Sequence, residues 1–164
     1  MDRLWSPWRM EYIESARDDE AEGGCVFCRL VESGDPDGDR VLARDDLAFV
    51  TLAKYPYNPG HLLVLPVRHA SDPEELSEDE QAAVDRMLRR SLRALRETSR
   101  PDGFNLGLNL GRVAGAGIPE HLHWHVVPRW GGDTNFMPVV GRTRVLPELI
   151  QDTFLKLRPR FDET

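Results

Sequence analysis

The sequence predicts one domain of mixed α and β structure, and three patterns predict it. The stretch "RVLARDDLAFVTLA" is apolar on both sides of Asp45-Asp46, the form of a β-hairpin. In "SEDEQAAVDRMLRRSLRALRE" the residues Val84, Met87, Leu88, Leu92 and Leu95 recur at helical spacing. In "HLHWHVVPR" histidines alternate with apolar residues at the period of a strand. A chain of 164 residues can bury one real core and is short for two.

Residues 1–24 read as an N-terminal arm: Trp5, Trp8, Met10, Tyr12 and Ile13 are apolar anchors, and Pro7 with the acidic stretch after Ser15 blocks a long regular element. Residues 25–164 then form the domain. A short turn or helix is expected near Phe27–Glu32, followed by a loop at "SGDPDGD". After the hairpin, the turn-rich "KYPYNPG" feeds a buried strand, "HLLVLPV". Ser77 and Glu80 satisfy the capping-box pattern that starts the long helix. "GFNLGLNLG" predicts a strand with Phe104, Leu106 and Leu108 on one face and Asn105, Gly107 and Asn109 on the other. A terminal helix is expected over Pro147–Leu157, with Pro147 in its first turn.

The formal charge of −7 argues against general affinity for a nucleic acid polymer, because counterion release needs a basic surface. Arg86, Arg89, Arg90, Arg93 and Arg96 on the long helix are read as a solvated face that offsets nearby acids. No apolar run is long enough to cross a bilayer, and the N-terminus lacks the apolar core of a signal peptide, so a cytoplasmic protein is expected. In that setting a disulfide between Cys25 and Cys28 is not expected; their CxxC spacing suits either a redox dithiol or half of a metal site.

Of five histidines in the chain, His121, His123 and His125 stand at alternate positions. On a strand they share one face, roughly 6.6 Å apart from one to the next, while Leu122, Trp124 and Val126 share the other. A row of imidazoles costs desolvation unless it binds something, so the row points to a metal cluster, a nucleophilic histidine, or both.

"HLHWHVVPR" resembles the signature of the histidine triad (HIT) superfamily, and "NPGHLLVLPVRH" is similar to its upstream strand. With "LWSPWRMEYI", "GFNLGLNLG" and "WGGDTNFMPVVG", the resemblance extends over most of the chain, to the bacterial branch described as diadenosine tetraphosphate phosphorylase-like. It implies an α+β fold, a HIT-like antiparallel β-sheet with flanking helices, and a homodimer. It also implies cleavage of dinucleoside polyphosphates, with an adenine-containing nucleotide passing through a covalent nucleotidyl-histidine on His123. His125 matches the histidine that orients the phosphate, and His61 the one that supports the triad. Asn109 resembles a phosphate-region position, although a turn-capping asparagine reads as well. Backbone amides of the loop holding Gly115, Gly117 and Ile118 are candidate phosphate donors. Cys25, Cys28, His69 and His121 match the ligands of a structural zinc.

Two departures from the pattern stand out. Ala53 occupies the place of a ribose-binding Asp or Asn, and Gly117-Ile118 replace polar side chains upstream of the triad. Other readings are therefore carried beside the first: hydrolysis of nucleoside phosphoramidates or related mononucleotide derivatives, a nucleotide-binding module without turnover, and a zinc-stabilised interaction protein.

Overall fold

The structure is a computed structural model that describes residues 24–33, 40–134 and 146–162; the predicted N-terminal arm lies almost wholly outside them. Its elements run α1 (Val26–Ser33), β1 (Val41–Arg44), β2 (Ala48–Leu52), β3 (Leu62–Pro66), α2 (Glu78–Ser99), β4 (Gly103–Gly107), β5 (Trp124–Arg129) and α3 (Ile150–Asp162). The five strands form one sheet in the order β1-β2-β3-β5-β4, and every neighbouring pair is antiparallel.

The hairpin closes at Asp45, whose carboxylate accepts from the Leu47 and Ala48 amides at 2.8 and 2.7 Å. All residues of β2 and β3 are buried, because the sheet is covered on both faces. Ala48, Val50, Leu52, Leu62, Val64 and Val126 pack towards α2 and α3. Phe49, Leu63 and Leu65 point to the other face, where Phe27 and Val31 of α1 cover them. Burial of an apolar side chain of that size contributes about 1.5–3 kcal/mol, so α1 is held chiefly by these two. At the start of α2 the capping box is complete: the Glu80 amide donates to Ser77 Oγ, and the Ser77 amide donates to Glu80 Oε2.

Three predicted boundaries shift. The terminal helix starts at Ile150, three residues after Pro147. Its first turn is closed by the Thr153 amide on Leu149 O, with the Thr153 hydroxyl reaching Glu148. The helix also runs on through Pro159 to Asp162. A proline there removes the bond to the carbonyl four residues earlier, and that residue, Leu155, is exposed, so water can take the partner's place. The β4 strand stops at Gly107, short of Asn109. Strand β5 begins at Trp124, so only His125 of the histidine row lies within a strand. His121 and His123 lie just before it, in chain anchored by the Leu122 amide on Ala70 O at 2.7 Å. The alternation of faces persists: Leu122 packs with Ala70 and Leu76, away from the histidines.

Candidate active site and metal centre

His61 enters β3 directly after Gly60, which adopts a positive φ of 78°; a Cβ there would sit 3.0 Å from Leu95 Cδ2. Glycine is thus needed for both the turn and the close approach to α2. His61 is buried and faces His125, whose register partner on β3 is Leu63. Hydrogen bonds set the tautomers in sequence. The Tyr57 amide donates to His61 Nδ1 at 3.0 Å, which leaves the His61 proton on Nε2. That proton is donated to His125 Nδ1, 2.9 Å away. A neutral His125 therefore carries its own proton on Nε2. The Tyr57 ring stacks over both imidazoles, with centroids 4.8 Å from His61 and 5.7 Å from His125.

His123 lies beside His125, with ring centroids 5.1 Å apart, and donates from Nδ1 to His121 O at 2.8 Å. Its Nε2 is then the nitrogen with the lone pair. Burial lowers the His123 pKa, against the opposing pull of the His121 carbonyl and Glu120, so the ring is held neutral and nucleophilic. Phe27 of α1 packs against both His121 and His123, at 5.5 and 5.3 Å between centroids.

Cys25, Cys28, His69 and His121 form a cluster whose candidate ligand atoms all lie within 4.8 Å of one another. Cys25 Sγ is 3.3 Å from His121 Nδ1, and Cys28 Sγ is 3.3 Å from His69 Nδ1. His121 Nε2 donates to Pro66 O at 3.0 Å, which leaves Nδ1 to ligate; metal-binding histidines usually give their other ring N–H to such an acceptor. Burial brings the His121 pKa down to about 4, keeping the ring in the neutral form a metal requires. Burial and the neighbouring Cys25 push the Cys28 thiol up to about 11, so a cation is needed for the Cys28 sulfur to stand there as a thiolate. These four residues could hold a metal ion at the point where α1, the β3 end and the triad segment meet.

A cavity of about 410 Å³ opens beside His125 and is lined by Asn58, Asn105, Asn109, Arg129 and Thr134 among others. Asn109 is thereby brought to the site. In the loop before the triad, the Gly115 amide donates to Arg112 O at 3.0 Å and closes a 3-10 turn; Ile118 packs against the α1 core. Gly117 is buried beside it in sequence. Ala53 is buried among the same apolar residues, with its amide on His61 O. A second cavity, about 420 Å³ between β1 and α3, contains none of the histidines, and its Arg44, Arg90 and Arg158 all donate to backbone carbonyls. Of these two cavities, the one beside His125 is therefore the candidate site. The sequence alone did not single out Tyr57, Phe27, Asn58 or Asp133 for the site; the opposite charges of Arg129 and Asp133, close together in "RWGGD", are a signal that could have pointed to their ion pair.

Residues 37–132 match the HIT domain. The chain is 44% identical over 158 residues to the AP-4-A phosphorylase of Mycobacterium tuberculosis, covering 93% of this chain and 80% of that protein. It is 30% identical over 105 residues to the adenosine 5'-monophosphoramidase hnt1 of Schizosaccharomyces pombe, covering 64% and 74% respectively. Among solved structures, a Zn-bound histidine triad family protein from Mycobacterium smegmatis superposes with a TM-score of 0.68 at 30% identity, covering 85% of this chain and 94% of that one.

Proposed function

Because the chain belongs to the HIT family, we propose that it is an enzyme cleaving dinucleoside polyphosphates by nucleotidyl transfer, with diadenosine tetraphosphate as the representative substrate. The observation that carries this reading is the state of His123: neutral, with Nδ1–H fixed on His121 O and the Nε2 lone pair available. In the first step Nε2 forms a bond to the α-phosphorus, and the bond to the bridging oxygen breaks, releasing the remaining polyphosphate with that oxygen. In the second, inorganic phosphate or water attacks the same phosphorus, the P–N bond breaks and its electron pair returns to Nε2. His125 Nε2–H supplies a donor for phosphate oxygens, and Asn109 a second from the cavity wall. The Gly115 amide is taken by Arg112 O, so of that loop the Gly117 and Ile118 amides complete the candidate set.

The two thiols and two imidazoles suit zinc, for which the sulfur-to-nitrogen edge of a tetrahedron is about 3.6 Å, close to the 3.3 Å pairs present. With all four positions filled by protein, the ion would be structural, fastening α1 to the segment that carries His123. The free cysteines suit a cytoplasmic location. Strand β4 is a sheet edge with Leu106 48% exposed, which supports a homodimer joined along that edge.

The phosphoramidase relative favours a second substrate class, mononucleotide phosphoramidates, with the same nucleophile and a smaller leaving group. Mass spectrometry of the protein incubated with diadenosine tetraphosphate, with and without phosphate, tests the reading. A nucleotidyl adduct and products that His123→Ala abolishes are expected, and ADP appearing only with phosphate selects phosphorolysis. No adduct and no products from a nucleotide panel would overturn it.

A further inference from the structure

Asn58 is a buried amide, 2% exposed, in the turn between β2 and β3. Its Nδ2 donates to Pro128 O at 2.9 Å and to Asp133 Oδ2 at 2.8 Å, so one side chain ties the turn to the far end of β5. The backbone of the same residue holds the histidine: the His61 amide donates to Asn58 O at 3.1 Å. Asp133 is fixed in turn by Arg129, whose Nε and Nη2 donate to its two oxygens at 2.6 and 3.0 Å, and by the Trp130 amide. Arg129 Nη1 donates to Asn105 Oδ1 at 2.8 Å, which extends the network to β4. The Asp133 side chain is only 10% exposed, and Arg129 with Asn58 holds its carboxyl well below the usual range, so it stays an acceptor.

Tyr57 directly precedes Asn58, so the network that anchors Asn58 sets where the Tyr57 amide stands. That amide is the donor that decides which nitrogen of His61 carries the proton. We propose that Asn58 and Asp133 are positioning residues for the His61–His125 pair: they hold the Tyr57–His61 turn on β5, so that the Tyr57 amide fixes the His61 tautomer and, through it, the proton of His125. Released from Pro128 and Asp133, the turn can draw its amide away from His61 Nδ1. The His61 proton then redistributes between its nitrogens, and His125 Nδ1 loses a fixed donor. His125 itself becomes a mixture of tautomers, of which only one presents Nε2–H to a phosphate.

The test reads tautomers directly, through nitrogen-15 NMR of the histidine rings, and needs no substrate. Wild type is expected to show Nε2-protonated His61 and His125. Asn58→Ala and Asp133→Ala are each expected to move both rings towards mixed tautomers while the sheet amide spectrum is kept, and Asp133→Asn, which retains an acceptor oxygen for Asn58, is expected to restore them. If Asn58→Ala does not fold, Asp133→Ala decides the matter from its looser site. Wild-type tautomers for both rings in the folded alanine variants would overturn the proposal. A kinetic arm rests on the nucleotidyl-transfer reading above: the alanine variants lose kcat on the order of 10²-fold with KM little changed, the effect of a displaced catalytic group. Wild type inactive on every nucleotide would sink that reading alone, and the NMR result would still decide this one.

Discussion

Chelation, or loss of one candidate ligand by Cys28→Ser, tests the Cys25–Cys28–His69–His121 cluster most sharply. Without a cation the Cys28 sulfur reverts to a thiol, and the cluster no longer joins α1 to the triad segment. What still holds α1 is the burial of Phe27 and Val31, worth about 3–6 kcal/mol together, so the helix stays docked and the sheet stays folded. The loss is the linkage energy of the ion. With metal at a thousand times its dissociation constant, that is about 4 kcal/mol. For a chain of 164 residues, each kcal/mol moves Tm by about 2–4 °C, so chelation lowers Tm by about 8–16 °C. Thermal unfolding with and without chelator, alongside metal analysis of the purified protein, measures it. Cys28→Ser should unfold at the lower temperature and ignore the chelator. A wild-type Tm indifferent to chelation, with no metal in the protein, would refute the metal-centre argument outright.

Two further outcomes follow from other contacts. Hydrogen bonds from the Arg68 guanidinium and the Ser77 amide hold the Glu80 carboxyl at about 2, below its ordinary 4.5. Its stabilisation is therefore complete above about pH 4.5 and is lost as pH falls towards 2; with the half-exposed Arg68 discounted for screening it amounts to about 1–2 kcal/mol. Glu80→Gln should cost that much in urea unfolding at pH 7, and the gap to wild type should close near pH 2; a gap unchanged across this range would contradict the assignment. At the β4 edge, Leu106→Lys should shift sedimentation of the protein towards monomer, and a wild type already monomeric would remove the dimer from the account.

Local pattern alone determined much of this protein. The hairpin around Asp45 and the capped helix from Ser77 rest on interactions between residues near in the chain, which is why they are legible in it. The histidine row was legible for the same reason, since its alternation survives even where regular strand does not. The candidate metal ligands and the candidate nucleophile, by contrast, were assigned by resemblance. The sequence spaces Cys25, His69 and His121 far apart, and only the packing of α1 on the β3 face brings them within ligand reach.

Tertiary structure decided the protons. Which nitrogen of His61 is protonated depends on the Tyr57 amide, and the position of that amide depends on Asn58 meeting Pro128 and Asp133 across some seventy residues of chain. No local periodicity encodes such a meeting. The register of β5 against β3 and β4 creates it, so the chemistry-bearing residues could be read in the chain while their ionisation and tautomers had to wait for the fold.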